Sequence, residues 1–421
     1  MIDFKKVKNL FKKNKFLFFK KLILKLFKII ISLPFFPFSL VIFIFINIFK
    51  PILHIRVSPL PTTRIGHFAQ NVDLYLSYKK YIQKKKTLDI FFLENFISNH
   101  YLLKIWKRKI IIINWPIVKQ IYLLNEFLKI SSNKIKPIES DRDTNNIYSN
   151  NKIKNKNIIF SFQEKILGYK ILEKLGITKK EKIVCFVDRN SYYLDSQHPD
   201  TDWSYHNHRN TNIDNFLLTA EMLTKKGYYV IRMGRHNKKK LFTQNKRIID
   251  YSFSIYKSEF MDIFIPHLCE FYISVGTGPD AFAKIFRKPI VYVNHVPIGD
   301  LNTYREDSLF LCKKHYSTNL SRDLTLREIF EHGISLCWNS KIFKKKGILL
   351  IENTPQEIYD VVLEMCNIIK GKKSLKRNKD NIKFWKIYEK YLIKYNIRSH
   401  HGNLLGKYSA SFLKNNPLFL K

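Results

Sequence analysis

Residues 271–289, FYISVGTGPDAFAKIFRKP, read as a short apolar strand, a turn at Gly276, Thr277 and Gly278, and a helix opened by Pro279. Such a turn aims backbone N–H groups at one spot, where an anionic phosphate is the natural occupant. The β-branched run 289–294, PIVYVN, completes a β-turn-α-β unit, the building block of a parallel sheet. Two arginines belong to the same picture. Arg189 and Arg232 stand at or near the C-terminal ends of the strands expected at 182–190 and 228–234, and a guanidinium offers bidentate contacts to phosphate oxygens. Arg209 and Asn212, in the loop HRNTN before a helix, join the candidate ligands, although an asparagine there serves equally as a helix cap. Asp280 falls in the first turn of the phosphate-facing helix, where the helix dipole favours a carboxylate whether or not it touches a ligand.

The elements that position these residues alternate between strand-like and helix-like along the chain. HIRVSP (54–59), LDIFFLE (88–94), IIIN (111–114) and IIFSF (158–162) are the strands expected of a first α/β domain over 51–165, with a polar, mobile insertion at 131–157. KIVCFVDRN (182–190), a helix at 213–226, YYVIRMG (228–234), a helix at 258–268 and the glycine unit define a second domain over 180–370. A helical tail at 371–421 includes the basic amphipathic stretch 377–396. The expected fold class is α/β, two doubly wound Rossmann-like halves, each leaving a crevice at its strand C-termini.

The chain has 421 residues, with 74 Lys+Arg against 34 Asp+Glu and a formal net charge of +40. Its lysines accompany heavy use of Ile, Asn, Phe and Tyr throughout, a bias that an AT-rich genome produces without selection for binding, so the charge informs only where it clusters. It clusters at the start: residues 1–28 carry ten lysines and one aspartate. Lys21, Lys25 and Lys28 recur at helical spacing among Leu, Ile and Phe, the pattern of a helix on an anionic leaflet. Residues 29–49 follow as 21 positions without a charge, long enough to span a bilayer. A straight span is awkward, because the positive-inside rule would hold the lysines in the cytosol and export everything after Lys50. Pro34 and Pro37 suggest instead a bent, re-entrant segment. Residues 1–50 are thus expected to hold the protein on the cytoplasmic face of the inner membrane.

The segments RIGHFAQNVDLYL (64–76), DRNSYYLD (188–195), SYHNHRNTNIDNFL (204–217), YYVIRMGR (228–235), SVGTGPDAFA (274–283) and LLGKYSASFLKNNPLFL (404–420) together resemble a bacterial family of glycosyltransferases of surface-polysaccharide and O-antigen clusters. The resemblance covers most of the chain from His54. It implies a GT-B architecture, two Rossmann-like domains facing across a cleft with the nucleotide sugar held mainly by the second, and a glycan or lipid-linked acceptor. The run SVGTGPDAFAKIFRKPIVYV is also similar to the donor-phosphate segment of heptosyltransferase-type GT-B enzymes, with Ala281 where those enzymes usually place a histidine.

Transfer from a nucleotide sugar needs a base at the acceptor hydroxyl and cations or N–H groups on the leaving diphosphate. The resemblance implies that this is done without a bound metal or other cofactor. His67, beside Arg64 and Gly66 in the loop after the first strand, is the first candidate base. Asp73 and Asp202 follow. Asp141 with Asp143 and Asp200 with Asp202 spell D-x-D, the metal-holding pattern of the other glycosyltransferase fold, but the first pair lies in the polar insertion and the second does not end a hydrophobic strand. His206 and His208, two apart, would face opposite sides of a strand and make poor metal ligands, and the five cysteines have no metal spacing and fit reduced buried thiols. Two other functions compete. A sugar-nucleotide epimerase shares the two-domain architecture but is normally soluble. A nucleic-acid-binding protein needs a basic stripe interleaved with aromatics on a folded face, whereas here the densest lysines flank the apolar segment.

Overall fold

The computed structural model describes residues 19, 22–23, 30–135, 142–150, 156–197, 201–235, 237–372 and 376–421. The lysine helix expected over Lys21, Lys25 and Lys28 lies outside them. The chain forms two compact units, one of Met1–Thr63, Gln83–Ile97 and Leu103–Glu139, the other of Arg64–Ile82, Ser98–Leu102 and Ser140–Lys421.

The first unit is built on a three-stranded parallel sheet in the order β1 (His54–Leu60), β2 (Thr87–Leu93) and β3 (Ile111–Ile112). Its core joins Val57 and Phe92 of the sheet to Phe43 of the helix Phe36–Ile48 and to Val118 and Ile121 of the helix Pro116–Phe127. The apolar run stays helical from Ile30 to Ile48. The break expected at its prolines does not form, because Pro34 and Pro37 occupy first-turn positions of Leu33–Phe35 and Phe36–Ile48, where a missing N–H leaves nothing unpaired.

The second unit carries a seven-stranded sheet. Its strands are β4 (Lys182–Phe186), β5 (Tyr228–Arg232), β6 (Ile248–Asp250), β7 (Phe271–Ser274), β8 (Ile290–His295) and β9 (Ser308–Cys312), with β13 below. A small antiparallel sheet of β10 (Lys314–Ser317), β11 (Arg322–Asp323) and β12 (Ile348–Ile351) follows β9. The short β13 (Lys407–Tyr408) returns to the large sheet, whose order is β13-β9-β8-β7-β4-β5-β6, all pairs parallel. From β4 the chain winds outward through β5 and β6, then crosses to β7 and winds the other way, the doubly wound order expected of a dinucleotide-binding fold. Strands β4, β7 and β8 are apolar runs because helices cover both faces of a parallel sheet.

Three local expectations differ from the structure. Residues 158–161 form no strand: Ser161 caps the helix Phe162–Lys174, with Glu164 closing a capping box. The described part of the polar insertion is packed rather than loose. Ile147 and Tyr148 are buried against Leu74 and Tyr304, and buried Asp143 accepts the N–H groups of both, at 2.7 and 2.6 Å. The stretch after the first strand, expected in the first domain as the loop TTRIGHFAQN and then a helix to about Lys84, is helical already from Ile65 to Tyr81 and has its contacts in the second unit.

Candidate functional site

In an open doubly wound sheet, ligands bind outside the strand C-termini where the order reverses. Here that point lies between β4 and β7. Asp188, Arg189 and Asn190 leave the first, and Val275 through Gly278 leave the second.

Arg189 is fixed by its own backbone. Its N–H donates to Thr211 Oγ1 (3.1 Å), its carbonyl accepts from the Thr211 N–H (2.9 Å), and its Nη1 donates to Asn210 Oδ1 (3.4 Å). The 3-10 turn Ser204–Arg209 brings in the second guanidinium. Arg209 Nη2 donates to the Gly276 carbonyl at 2.5 Å, and its plane lies 5.0 Å from the centre of the Trp338 ring, a cation–π distance. Among the described residues no carboxylate pairs with Arg189, Arg209 or Arg64. Burial first, then Arg209, lowers Arg189 to about 9, which leaves it charged at neutral pH. Burial also lowers Arg209, with the carboxylates of Asp300 and Asp280 opposing. Two half-buried guanidiniums with no carboxylate in direct contact attract anions.

The histidines around them are neutral. Burial, then Arg189, Arg209 and Arg64, holds His206 at about 4. His208 is also lowered to about 4, by burial first, while its Nδ1 lies 3.0 Å from the Tyr205 carbonyl and 3.1 Å from Ser340 Oγ. His295 is buried at the end of β8, lowered to about 3 by burial and then Arg209. Nδ1 of His206, Nδ1 of His295 and the Thr277 hydroxyl are all enclosed with no hydrogen-bond partner among the described residues. Lys313, leaving β9, donates to the Asn210 carbonyl at 2.6 Å and lies 3.8 Å from Glu352.

The glycine turn is tighter than its sequence implies. Gly276 has φ +73°, and a Cβ there would sit 2.7 Å from His295 Nδ1. Its N–H is taken by Ser274 Oγ (2.9 Å), which itself donates to Asp280 (2.7 Å), so Thr277 and Gly278 are left to present N–H groups. Gly278 receives the start of the helix Ile65–Tyr81: a Cβ on Gly66 would lie 3.1 Å from Gly278 Cα, and one on Gly278 3.3 Å from the Gly66 N. His67 stands one residue beyond that contact, half-buried in the first helical turn, and exposed Arg64 precedes the helix.

Several candidate residues have structural partners instead. Arg232 is fully buried and encased: Nε and Nη2 donate to the two Asp188 oxygens (2.8 and 3.0 Å), and Nη1 donates to Asp250 (3.0 Å) and the Lys239 carbonyl (2.7 Å). It ties β4, β5 and β6 together and has no face for a ligand. Asp73 is equally enclosed, paired with Arg287 at 2.8 Å and accepting from Asn157 at 2.9 Å, which removes it as a base. Asp280 holds Lys284 at 2.8 Å and stays a helix-start carboxylate. Asn212 caps the turn Ile213–Phe216 through the Asp214 N–H. Asp202 is exposed and accepts from the Ser204 N–H (3.0 Å). Asp141 and Asp200 lie outside the described residues, and no group of three or more His, Cys, Asp or Glu among the described residues could hold a metal ion. All five cysteines are free and buried. Sequence reasoning missed Lys313, His295 and Trp338, and set His206 and His208 aside as metal ligands only; Lys313 carried the same signal as Arg189, a cation just past an apolar strand.

No family model matches the chain, and no curated protein does. Among solved structures, the E. coli ADP-heptose lps heptosyltransferase II is similar at 11% sequence identity and a TM-score of 0.39, over 75% of this chain and 98% of that one. A likeness at this level carries no argument about the site.

Proposed function

We propose that the crevice between β4 and β7 binds the diphosphate of a nucleotide sugar and that the protein is a glycosyltransferase, passing the sugar to a glycan or lipid-linked acceptor in surface-polysaccharide synthesis. The observation that carries this reading is the pair of half-buried guanidiniums, Arg189 and Arg209, with no carboxylate in ion-pair contact among the described residues, at the switch point of the sheet. They take the leaving diphosphate, with Lys313 behind them and Thr277 and Gly278 on the opposite wall. Charge that develops on the leaving group is then met by fixed cations, so no metal is required for that step. His67 is the residue we assign as acceptor base, because it follows the Gly66–Gly278 contact and so stands beside the turn that faces the phosphates. Asp202 is the second choice.

Two substitutions separate binding from chemistry. Arg209→Ala should weaken nucleotide-sugar binding by about 1.5–3 kcal/mol, the worth of a charge-assisted hydrogen bond. His67→Ala should leave binding nearly intact and lower turnover by roughly 10²–10⁴. Calorimetry with a panel of nucleotide sugars, followed by single-turnover rates on whichever binds, measures both. Unchanged affinity in Arg209→Ala would remove the diphosphate assignment.

A further inference from the structure

The helix Ile30–Ile48 is 19 residues long with a mean hydropathy of 2.2, and it is turned inside out for a water-soluble surface. Ser32, Ser39 and Asn47 are the polar residues of the run, and all three face the first unit. The Gln120 side chain donates to the Ser32 carbonyl and receives the Ser39 hydroxyl, both at 2.5 Å, and Asn133 donates to Asn47 Oδ1 at 3.1 Å. Phe43, buried at 6% exposure, and Ile46 complete this inner seam in the core cluster with Val118 and Ile121. The seam recurs at three- to four-residue steps, as one face of a helix must. Everything on the outer side is apolar and in solvent, including Phe38, Val41, Ile44, Phe45 and Ile48.

The seam excludes a straight crossing of a bilayer. A spanning helix is surrounded by hydrocarbon or by other apolar elements at the same depth. This one is fastened lengthwise to the helix Pro116–Phe127, which carries exposed Lys119 and Glu126 and could not follow it into the hydrocarbon core. That same helix does extend the apolar surface: Leu123 and Phe127 on it, with Trp115 just before it, are 52%, 82% and 67% exposed. Charge supplies the identity of the covering phase. The ten lysines of residues 1–28 lead into the helix and Lys50 follows it, the arrangement that anionic headgroups attract.

We propose that the first unit is a monotopic membrane module, in which the helix Ile30–Ile48 lies flat in the interface of an anionic leaflet, outer face in the acyl region, with Trp115, Leu123 and Phe127 anchoring beside it. This does not depend on the glycosyl-transfer reading. It also removes the orientation problem of a spanning segment, since the lysines before the helix and everything after it stay on one side of the membrane.

The test is flotation of the full chain with vesicles of phosphatidylcholine containing roughly a quarter phosphatidylglycerol, together with quenching of tryptophan fluorescence by brominated acyl chains. Wild type should float and be quenched, and Trp115→Phe should lose most of the quenching. Leu123→Ser with Phe127→Ser, which leaves the charge unchanged, should weaken vesicle binding roughly tenfold or more, the worth of one or two buried apolar side chains. These positions are exposed, so circular dichroism should show an unchanged fold. Vesicle binding that ignores this pair overturns the module and leaves the helix acting alone. A chain that forms a discrete dimer and does not float overturns it in favour of a second copy on the same face.

Discussion

Arg232 and Arg209 end as opposites, although both are arginines beside the ligand edge of one sheet. Arg232 meets two carboxylates from β4's end and β6, so its charge is spent on joining three strands. Removing one partner of a buried, hydrogen-bonded pair costs about 3–5 kcal/mol because the other charge stays buried and unmatched. Arg232→Ala should therefore lower the unfolding free energy of the second unit by an amount of that order, seen as a lower urea midpoint, and Asp188→Asn should lower it too, both measured by urea titration followed by circular dichroism. A midpoint that stays put, with weaker nucleotide-sugar binding, would return Arg232 to the ligand site. His206 supplies a pH test of the arginine crevice. Arg189 and Arg209 lie beside it, Arg64 adds to their field, and Tyr205 and neutral His208 share its turn; the Asp202 carboxylate is engaged with the Ser204 N–H. With no ligand it is held at about 4. An anionic phosphate within contact favours the charged imidazole and raises its pKa, by roughly two units from an opposite charge at that range. The bound state then holds more protons than the free one, so affinity grows as the pH falls. A nucleotide sugar, whose diphosphate is fully ionised throughout, should bind about tenfold more tightly at pH 5 than at pH 7.5, and His206→Gln should abolish that slope. A slope that survives in the variant would assign the proton elsewhere.

At the scale of elements, the contact between the helix Ile65–Tyr81 and the turn after β7 rests on two glycines. Ala within a helix is ordinarily favoured over Gly by about 0.5–1 kcal/mol. Gly66→Ala should nevertheless destabilise, since its Cβ would press on Gly278 Cα at 3.1 Å and push the helix from the turn. A thermal midpoint that falls, with weaker nucleotide-sugar binding, is the expected result; a rise would show that the approach has slack. Much of the second unit's sheet was legible beforehand because β4, β5 and β7 are apolar runs that end in charge or glycine and β8 is a β-branched run. The helix Ile65–Tyr81 was legible as a helical stretch to about Lys84, but its start at Ile65 and its place in the second unit were not, because its buried face includes Gln70, Asn71, Asp73 and Ser77, which imitate a solvated side. Their partners Tyr304, Asn157 and Arg287 lie far along the chain, where no local pattern points to them. Arg232 was misread for the same reason, its carboxylates being 44 and 18 residues away.

For the molecule as a whole, the two units are not consecutive along the chain. It enters the second unit at Arg64, leaves after Ile82, returns for Ser98–Leu102, and settles there from Ser140 onward. The early visits carry parts the second unit cannot replace: Asp73 neutralises Arg287, Gly66 closes on Gly278, and the N–H groups of His100 and Tyr101 are received by the Glu259 carboxylate, at 2.7 and 3.1 Å. Modules strung like beads can be cut apart at a linker or swapped between genes. Here a fragment beginning at Ser140 would leave the largely enclosed Arg287 without the Asp73 carboxylate and uncover one side of the turn at Gly276–Gly278. Recombination could thus trade the second unit intact only by carrying the helix Ile65–Tyr81 along with it, although residues 83–139, most of them in the first unit, lie between that helix and Ser140 in sequence.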